Sequence, residues 1–412
     1  MENKKFWLGI PVMMLVFGMT VVGCDNGSTD DNGNIAVTLS GVTANGNASQ
    51  KTTQLTLTFS HTITGLSAND ITISGVADVY KGNISDSGTT YNLEIFGVTV
   101  GGMLKVSVTK SGYTINGSPK TVTIYAGVTW TPITNHTFNN YIWDIEWGNN
   151  KFVAVGNDGK VAYSSDGINW NNVTNTTLNN TRIESIVWGN NKFVMVGGGG
   201  RAAYSADGIT WSAISNTTFG STSINGIAWG NNRYVAVGSG GKAAYSTDGI
   251  TWTAVTLPGF DGQSDGPYEV AWGNNKFIAL GWYNNAAYSA DGITWTTLTI
   301  PGFGRYDGPF KIVWGNNKFV VGGRNKVAYS ADGITWTVVT DTPMALSSGG
   351  SGIAWGNNKF VAVGGGGAYS TDGIKWTAVN TTTINNMSTA IAWGNNKFVA
   401  GGYGQMAYWD GN

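Results

Sequence analysis

The amino-acid sequence predicts an all-β protein, and three observations support this fold class. Glycine accounts for 61 of the 412 residues and charged residues for only 11%, which is typical of short strands joined by tight turns. Apolar and polar residues alternate over several short stretches before residue 126. The tetrapeptide WGNN then recurs seven times between residues 147 and 396. We therefore expect a β-sandwich followed by a repeat array.

The first 23 residues are predicted to be a signal peptide. Lys4 and Lys5 precede an apolar run from Phe6 to Val22, and Gly23 lies directly before Cys24, the one cysteine of the sequence. The segment VVGC resembles the lipobox of bacterial lipoproteins. The resemblance implies cleavage before Cys24 and acylation of its thiol, and so a lipid anchor in the bacterial cell envelope, at the surface or facing the periplasm. An ordinary signal peptide or a transmembrane helix is the alternative.

Residues 24–34 are predicted to be the lipidated cysteine and a flexible tether, because DNGSTDDNGN contains no apolar residue that could be buried. The formal net charge of the chain is −1. Such a balance argues against nucleic-acid binding, which needs a concentrated basic face. We expect a monomer.

Residues 35–126 are predicted to form about seven half-buried strands, because apolar residues recur there at every second position between turn residues. The segment resembles a bacterial immunoglobulin-like domain. This resemblance implies a β-sandwich that serves as a spacer or as an adhesive module. The alternating positions include Val37 and Leu39; Leu55, Leu57 and Phe59; Tyr91, Leu93 and Ile95; and Leu104, Val106 and Val108.

Residues 127–412 are predicted to form a seven-bladed β-propeller, because the WGNN interval of 38 to 43 residues fits one four-stranded blade. In the third unit we expect a first strand that ends with residues 227–229 and further strands at 233–237, 242–245 and 250–255. Ser246, Asp248, Gly249 and Trp252 resemble the Asp-box of sialidase-like propellers, although the family has one more residue between aspartate and glycine. This serine-to-tryptophan segment, here called the SxDG turn, recurs at Ser164–Trp170, Ser205–Trp211, Ser289–Trp295, Ser330–Trp336 and Ser370–Trp376.

The two ends of the repeat array are predicted to complete one blade. The last unit stops at Asn412, directly after its Asp-Gly step, and so lacks a fourth strand. The segment 127–134, GVTWTPIT, matches the fourth-strand sequence GITWTAVT but precedes the first WGNN. Strands from both ends should therefore close the ring and leave no exposed edge between its first and last units.

Two sets of residues are candidates for ligand binding. One cation per unit follows WGNN, and we expect these cations to pair on the surface with the SxDG turn of their own blade; they are Lys151, Lys192, Arg233, Lys276, Lys318, Lys359 and Lys397. The other set lies where the repeats differ, in blades four and five, and its aromatic and charged residues suit a glycan or protein ligand. The ligand-binding candidates are Phe260, Asp261, Tyr268, Trp282, Tyr283, Arg305, Tyr306 and Asp307.

Catalytic and metal chemistry have weaker support. Sialidases of this fold clamp a carboxylate with three arginines, one of which belongs to an Arg-Ile-Pro element. In this sequence Arg182 and Ile183 are followed by Glu184 instead of proline. Glu146 and Asp144 could form an acid pair, but channel-lining carboxylates are the simpler interpretation. His61 and His136 belong to different domains, so we expect no metal and no cofactor.

The sequence therefore predicts a lipid-anchored binding protein rather than an enzyme. Two alternatives stay open. One is a sialidase-like glycoside hydrolase or lyase with an atypical site. The other is a periplasmic assembly factor, because propellers with similar turns resemble the lumenal assembly factors of photosystems.

Overall fold

The computed structural model describes residues 29–47, 50–98, 101–128, 130–260, 266–282, 284–304, 308–324, 326–339, 352–364, 367–379 and 389–411. In these ranges the chain forms strands and four one-turn 3₁₀ helices, Ala68–Asp70, Asn157–Gly159, Gly198–Gly200 and Ser239–Gly241. No helix within them has the length and apolar character needed to cross a bilayer. Cys24 and the predicted signal peptide lie outside the described residues.

The N-terminal part contains two sheets that share one apolar core. A five-stranded sheet has the order β4-β5-β2-β1-β7 and a three-stranded sheet the order β3-β6-β8. Leu39, Leu93 and Leu104 are fully buried in the cluster between them. The strands are β1 (Ile35–Ala44), β2 (Gln54–Phe59), β3 (Ile71–Ser74), β4 (Tyr80–Ser87), β5 (Thr90–Phe96), β6 (Gly102–Val108), β7 (Tyr113–Asn116) and β8 (Lys120–Ile124).

The repeats form seven four-stranded antiparallel sheets among the described residues, here called repeat sheets 1 to 7. Each of the first six contains four consecutive strands. Repeat sheets 1 to 3 contain β10 (Ile142–Gly148), β11 (Lys151–Gly156), β12 (Val161–Ser164) and β13 (Asn171–Asn172); β14 (Ile183–Gly189), β15 (Lys192–Gly197), β16 (Ala202–Ser205) and β17 (Ser212–Ala213); and β18 (Ile224–Gly230), β19 (Arg233–Gly238), β20 (Lys242–Ser246) and β21 (Thr253–Thr256).

Repeat sheets 4 to 6 follow the same order. They contain β22 (Glu269–Gly273), β23 (Lys276–Leu280), β24 (Asn285–Ser289) and β25 (Thr296–Thr299); β26 (Pro309–Gly315), β27 (Lys318–Gly323), β28 (Lys326–Ser330) and β29 (Thr337–Val339); and β30 (Gly352–Gly356), β31 (Lys359–Val363), β32 (Gly367–Ser370) and β33 (Thr377–Val379).

Repeat sheet 7 is built from both ends of the repeat array. Its first three strands are β34 (Ala390–Gly394), β35 (Lys397–Gly401) and β36 (Met406–Trp409), and its fourth is β9 (Thr131–Ile133). Tyr408 pairs with Thr131 and Met406 with Ile133, in an antiparallel register. The segment before the first WGNN therefore supplies the fourth strand that the last repeat lacks, as its sequence predicts.

Each WGNN tryptophan packs on the WGNN glycine of the preceding repeat sheet. A methyl group added at Gly148 would lie 2.3 Å from Cγ of Trp188, and the other six glycines face the next tryptophan at 2.0 to 2.4 Å in the same way. Only glycine allows this approach. The last contact, of Gly394 with Trp147, joins repeat sheet 7 to repeat sheet 1. The seven sheets therefore form a closed ring.

The first asparagine of each WGNN turn adds a hydrogen bond between neighbouring repeat sheets. In six of the seven repeats its side-chain amide donates to a main-chain carbonyl in the SxDG turn of the next sheet, as from Asn149 to Ala206 at 3.2 Å, whereas Asn357 donates to Gly411 of repeat sheet 7, which has no SxDG turn. Asn395 donates to Ser165 at 3.1 Å and so repeats this bond across the closure. Both asparagines of every turn have positive φ, which asparagine tolerates better than most residues.

The prediction that each WGNN cation pairs with the SxDG turn of its own blade is wrong for Lys192 and Arg233. Lys192 donates to the main-chain carbonyl of Asp248 at 2.8 Å, and Arg233 to that of Asp291 at 2.7 Å. Both acceptors lie in the next repeat sheet, because the WGNN turn of one sheet faces the SxDG turn of its neighbour. Lys397 differs, since it forms an ion pair with Asp410 of its own sheet at 3.8 Å.

The SxDG turns explain why the fourth strand starts later than the sequence predicts. In repeat sheet 3 the carboxylate of Asp248 accepts the amides of Ile250 and Thr251 at 2.8 and 2.7 Å, and the hydroxyl of Ser246 accepts the amide of Gly249 at 2.8 Å. Those amides are then unavailable to a sheet, and β21 begins at Thr253. These hydrogen bonds lower the pKa of Asp248 to about 2, although burial alone would raise it.

We predict that Gly394→Ala destabilises the repeat array. Its new methyl group would lie 2.2 Å from Trp147, and overpacking of this kind costs about 1–3 kcal/mol. Gly322→Ala is the matched control, because a methyl group there has no atom within 4 Å. Urea unfolding followed by tryptophan fluorescence compares the two variants. Equal stability of the two variants would contradict the closing contact.

Candidate binding cavity

The first strands of all seven repeat sheets surround a central channel that contains two cavities. The inner cavity, of about 360 Å³, is lined by residues of β10, β14, β18, β22, β26, β30 and β34. The mouth cavity, of about 520 Å³, lies where these strands begin, away from the WGNN turns. It is lined by Trp143, Arg182, Glu184, Ser223, Asn225, Ser239, Tyr268, Glu269, Trp282, Phe310, Lys311 and Thr389.

One repeat position supplies half of the mouth cavity. It lies four residues before the WGNN tryptophan, and its residues are Trp143, Glu184, Asn225, Tyr268, Phe310 and Thr389. The residue two places further along each strand is isoleucine or valine in every repeat. The scaffold therefore fixes the strand while leaving this position free to vary, and the side chains that vary meet around one opening.

Three aromatic rings on the side of repeat sheets 4 and 5 form what we call the aromatic corner. The ring centroids of Tyr268 and Trp282 are 5.3 Å apart with planes at 57°, and those of Trp282 and Phe310 are 6.2 Å apart at 81°. The Tyr268 hydroxyl donates to the carbonyl of Gly281 at 3.2 Å. Trp282 remains 39% exposed. The rings of the corner are inclined to one another, so a ligand can contact aromatic surface in more than one orientation.

A second aromatic group lies across the opening, on repeat sheets 1 and 2. The Arg182 guanidinium lies 3.8 Å from the Trp143 ring centroid, and its Nε donates to Glu184 at 2.8 Å. Trp143 is held in turn by stacking on Tyr141, at 5.0 Å between centroids, and by a 2.7 Å bond from its Nε1 to Asn157. The side chain of Arg182 is 50% exposed but fixed on two sides.

A partly buried ion pair lies at the level where the two cavities meet. Lys311 Nζ and Glu269 Oε2 are 2.8 Å apart, and their side chains are 23% and 14% exposed. Burial raises the pKa of Glu269 and Asp144 raises it further, while Lys311 opposes both. Burial would lower the pKa of Lys311, but Glu269, Asp144 and Glu184 together hold it above its ordinary value. Each group therefore offsets part of the desolvation cost of the other.

Asp144 and Glu146 lie deeper, on β10. The Asp144 carboxylate accepts bonds from the Ser185 hydroxyl at 2.9 Å and from the Ile186 amide at 3.0 Å. Glu146 accepts the Trp188 amide at 3.1 Å. Burial, and then the charge of Asp144, raise the pKa of Glu146 to about 8. Glu146 therefore keeps its proton at neutral pH, which a solvated carboxylate would not.

The structure places three of the eight predicted ligand residues and brings two of them together. Tyr268 and Trp282 line the mouth cavity. Phe260 is a correction, because its ring is fully buried against Leu257 and Trp295 in the apolar core and cannot face a ligand. The remaining five lie outside the described residues; they are Asp261, Tyr283, Arg305, Tyr306 and Asp307.

Sequence reasoning missed the inner-strand contribution to the cavity. The sequence candidates came from the long loops of the fourth and fifth repeats. They therefore did not include Trp143, Glu269, Phe310 and Lys311. Alignment of the seven repeats on WGNN would have shown the signal, since the positions three and four residues before the tryptophan vary while the position two residues before it is always isoleucine or valine.

No family model and no curated protein sequence matches the chain. Solved structures do match its fold. A structure of YCF48 bound to D1 peptide has a TM-score of 0.53 at 16% identity, over 68% of this chain and 94% of that one. YCF48 from Cyanidioschyzon merolae has a TM-score of 0.51 at 18% identity, over 68% and 98%.

Two further solved structures also match the fold. Virginiamycin B lyase from Staphylococcus aureus, a catalytically inactive variant with quinupristin, has a TM-score of 0.57 at 12% identity, over 68% and 98% of the two chains. The WD40 β-propeller domain of Doa1 has a TM-score of 0.52 at 9% identity, over 68% and 97%. Identities this low show the fold alone. The repeat array of this chain is a β-propeller.

Proposed function

We propose that this protein is a lipid-anchored binding protein of the bacterial cell envelope, whose seven-bladed propeller holds a segment of a protein partner in the mouth cavity. Cys24 would carry the anchor, and the immunoglobulin-like domain of residues 35–126 would act as a spacer. The observation that carries the proposal is the mouth cavity itself, where the variable residues of six repeats converge.

The composition of the mouth cavity favours recognition. Its volume of about 520 Å³ lies within the usual range for ligand sites. Aromatic rings provide apolar contact area, and Asn225 and Ser239 provide hydrogen-bonding groups that can orient a ligand. The side chain of Asn225 is itself oriented by donating to the carbonyl of Pro267 at 3.0 Å.

A protein segment fits better than a glycan for two reasons. Two ion pairs, Arg182 with Glu184 and Lys311 with Glu269, line an opening with aromatic walls, so the opening suits a chain that carries both apolar and charged side chains. One propeller of similar fold, YCF48, was solved with a bound peptide. A glycan ligand is the alternative that the binding experiment separates.

We predict that Trp282→Ala weakens ligand binding at least tenfold and leaves the melting temperature unchanged, because the ring is 39% exposed and forms the centre of the aromatic corner. The purified full-length protein is screened against a peptide library and a glycan array, and the Kd of the best ligand is measured. Tyr80→Ala, an exposed aromatic of the N-terminal sandwich, is the control. Undiminished binding by Trp282→Ala would exclude this cavity, and binding of glycans alone would exclude a protein partner.

We predict that Cys24→Ser releases the protein from the membrane fraction of the native bacterium. The VVGC motif supports acylation at this thiol, and serine cannot form the same thioether. Fractionation and metabolic labelling with a fatty acid compare the variant with the unmodified protein. Membrane retention without a lipid label would refute the anchor.

Acid catalysis is a second candidate, and the protonation of Glu146 favours it. A general acid must hold a proton at the working pH, and the pKa of Glu146 is raised to about 8 beside Asp144 in the inner cavity. One structure of similar fold is that of a lyase. Cleavage of a glycan that disappears in Glu146→Gln would favour this function over binding alone.

We predict that Glu146→Gln increases stability more at pH 8 than at pH 5. The pKa is about 8 in the folded protein against 4.5 for the free group, so rising pH ionises Glu146 in the unfolded chain first and lowers the free energy of unfolding across this range. Glutamine removes that loss. Urea unfolding at both pH values tests the difference, with the exposed Glu94→Gln as control. A pH-independent gain would show that Glu146 ionises normally.

A further inference from the structure

The aromatic corner and the charged groups below it define the chemical class of the ligand. The inference rests on the proposed binding function and narrows it to one kind of group. Tyr268, Trp282 and Phe310 pack against one another with their planes at 57° and 81°, so a group placed against the corner contacts ring faces and edges from more than one direction. Aromatic faces attract organic cations and also pack on their alkyl carbons.

The charged residues that line the channel also favour a cationic ligand. Among the described residues that line the two cavities, four carboxylates face two cations; the carboxylates are Asp144, Glu146, Glu184 and Glu269, and the cations are Arg182 and Lys311. Each cation is paired with one carboxylate at 2.8 Å. Asp144 and Glu146 instead accept bonds from neutral donors, namely Ser185, Ile186 and Trp188.

Burial, and then the charge of Asp144 beside it, raise the pKa of Glu146. A further cation in the channel would favour the ionised form of Glu146 and be attracted by it. An anion would be repelled by these carboxylates. Arg182 and Lys311 would not offset the repulsion, because they are already paired with Glu184 and Glu269.

The cavity already contains one example of this recognition. The guanidinium of Arg182 lies 3.8 Å from the Trp143 ring centroid, with Glu184 at its edge. On the opposite wall the aromatic corner stands next to Glu269, which follows Tyr268 in the chain. Both walls thus place an aromatic ring near a carboxylate. On the first wall the cation Arg182 lies on the ring, whereas on the second wall the cation Lys311 pairs with the carboxylate of Glu269.

We propose that the mouth cavity binds an alkylammonium group, with its alkyl stem against the aromatic corner and its charge directed into the channel towards Glu269 and Asp144. A lysine side chain of the partner segment presents this chemistry, and so does a choline headgroup. Lysine has the longer stem and reaches below the rings, so the lysine side chain is the expected source.

The test uses isothermal titration of the full-length protein with three probes of equal length: n-butylammonium, 1-butanol and butyrate. Butylammonium should bind at least tenfold more tightly than either of the others. Lys311→Met removes the competing internal cation and should tighten butylammonium binding several-fold, a gain that misfolding cannot produce. Glu269→Gln should weaken it, and Asp86→Asn, an exposed carboxylate of the N-terminal sandwich, should leave it unchanged. Equal binding of butanol, or weaker binding by Lys311→Met, would overturn the proposal.

Two further measurements identify the source and separate this proposal from the function on which it rests. A peptide with one lysine should lose at least tenfold in affinity when that lysine is acetylated, whereas binding only to phosphatidylcholine vesicles would assign the ammonium to a lipid headgroup. If a peptide ligand depends on Trp282 but is indifferent to acetylation of all its lysines, the alkylammonium proposal fails and the binding function stands. If butylammonium binds but no protein segment does, the reverse holds.

Discussion

The contact of each WGNN tryptophan with the glycine of the preceding repeat sheet is the constraint on which the propeller depends. The seven contacts run round the whole ring and end with Trp147 on Gly394, so each sheet is positioned by two neighbours. Each tryptophan also packs on the aromatic residue at the second position of its second strand, as Trp147 does on Phe152 at 4.5 Å between centroids. A side chain larger than hydrogen at any of these glycines would force two sheets apart.

This constraint explains why the conspicuous repeat carries no ligand chemistry. The tryptophan, the glycine and the first asparagine are used in every repeat for contacts between sheets, and the serine and aspartate of the SxDG turn bind amides of their own turn. What remains free is the beginning of each first strand, where the side chain points towards the channel. Chemistry can vary there without loss of the ring, and it varies in every repeat.

The repeats allowed the architecture to be predicted from the sequence. The site could not be predicted in the same way, because it depends on which residues of different repeats lie close together. The interval of WGNN and the orphan strand before Trp147 predicted the four-stranded sheets and the origin of β9. Trp282 and Tyr268 were found because they break the pattern of the fourth repeat. Phe260 breaks it too, but its ring fills the core beneath its loop, and burial cannot be read from a loop sequence. The pairing of Lys311 with Glu269 joins residues 42 positions apart, which only the ring geometry brings together.

The charges of the channel show how a rigid ring tolerates buried ionisable groups. A buried ion pair recovers its desolvation cost only when the partners are well placed, and Lys311 with Glu269 meets that condition because adjacent first strands hold them in register. Glu146 has no such cation and keeps its proton instead. Protonation of Glu146 therefore reduces the excess of carboxylates over cations in the channel without abolishing it, and protonation is reversible. A positively charged ligand in the channel would favour loss of the Glu146 proton and would be attracted by the ionised carboxylate. Binding of such a ligand is therefore coupled to the protonation of Glu146.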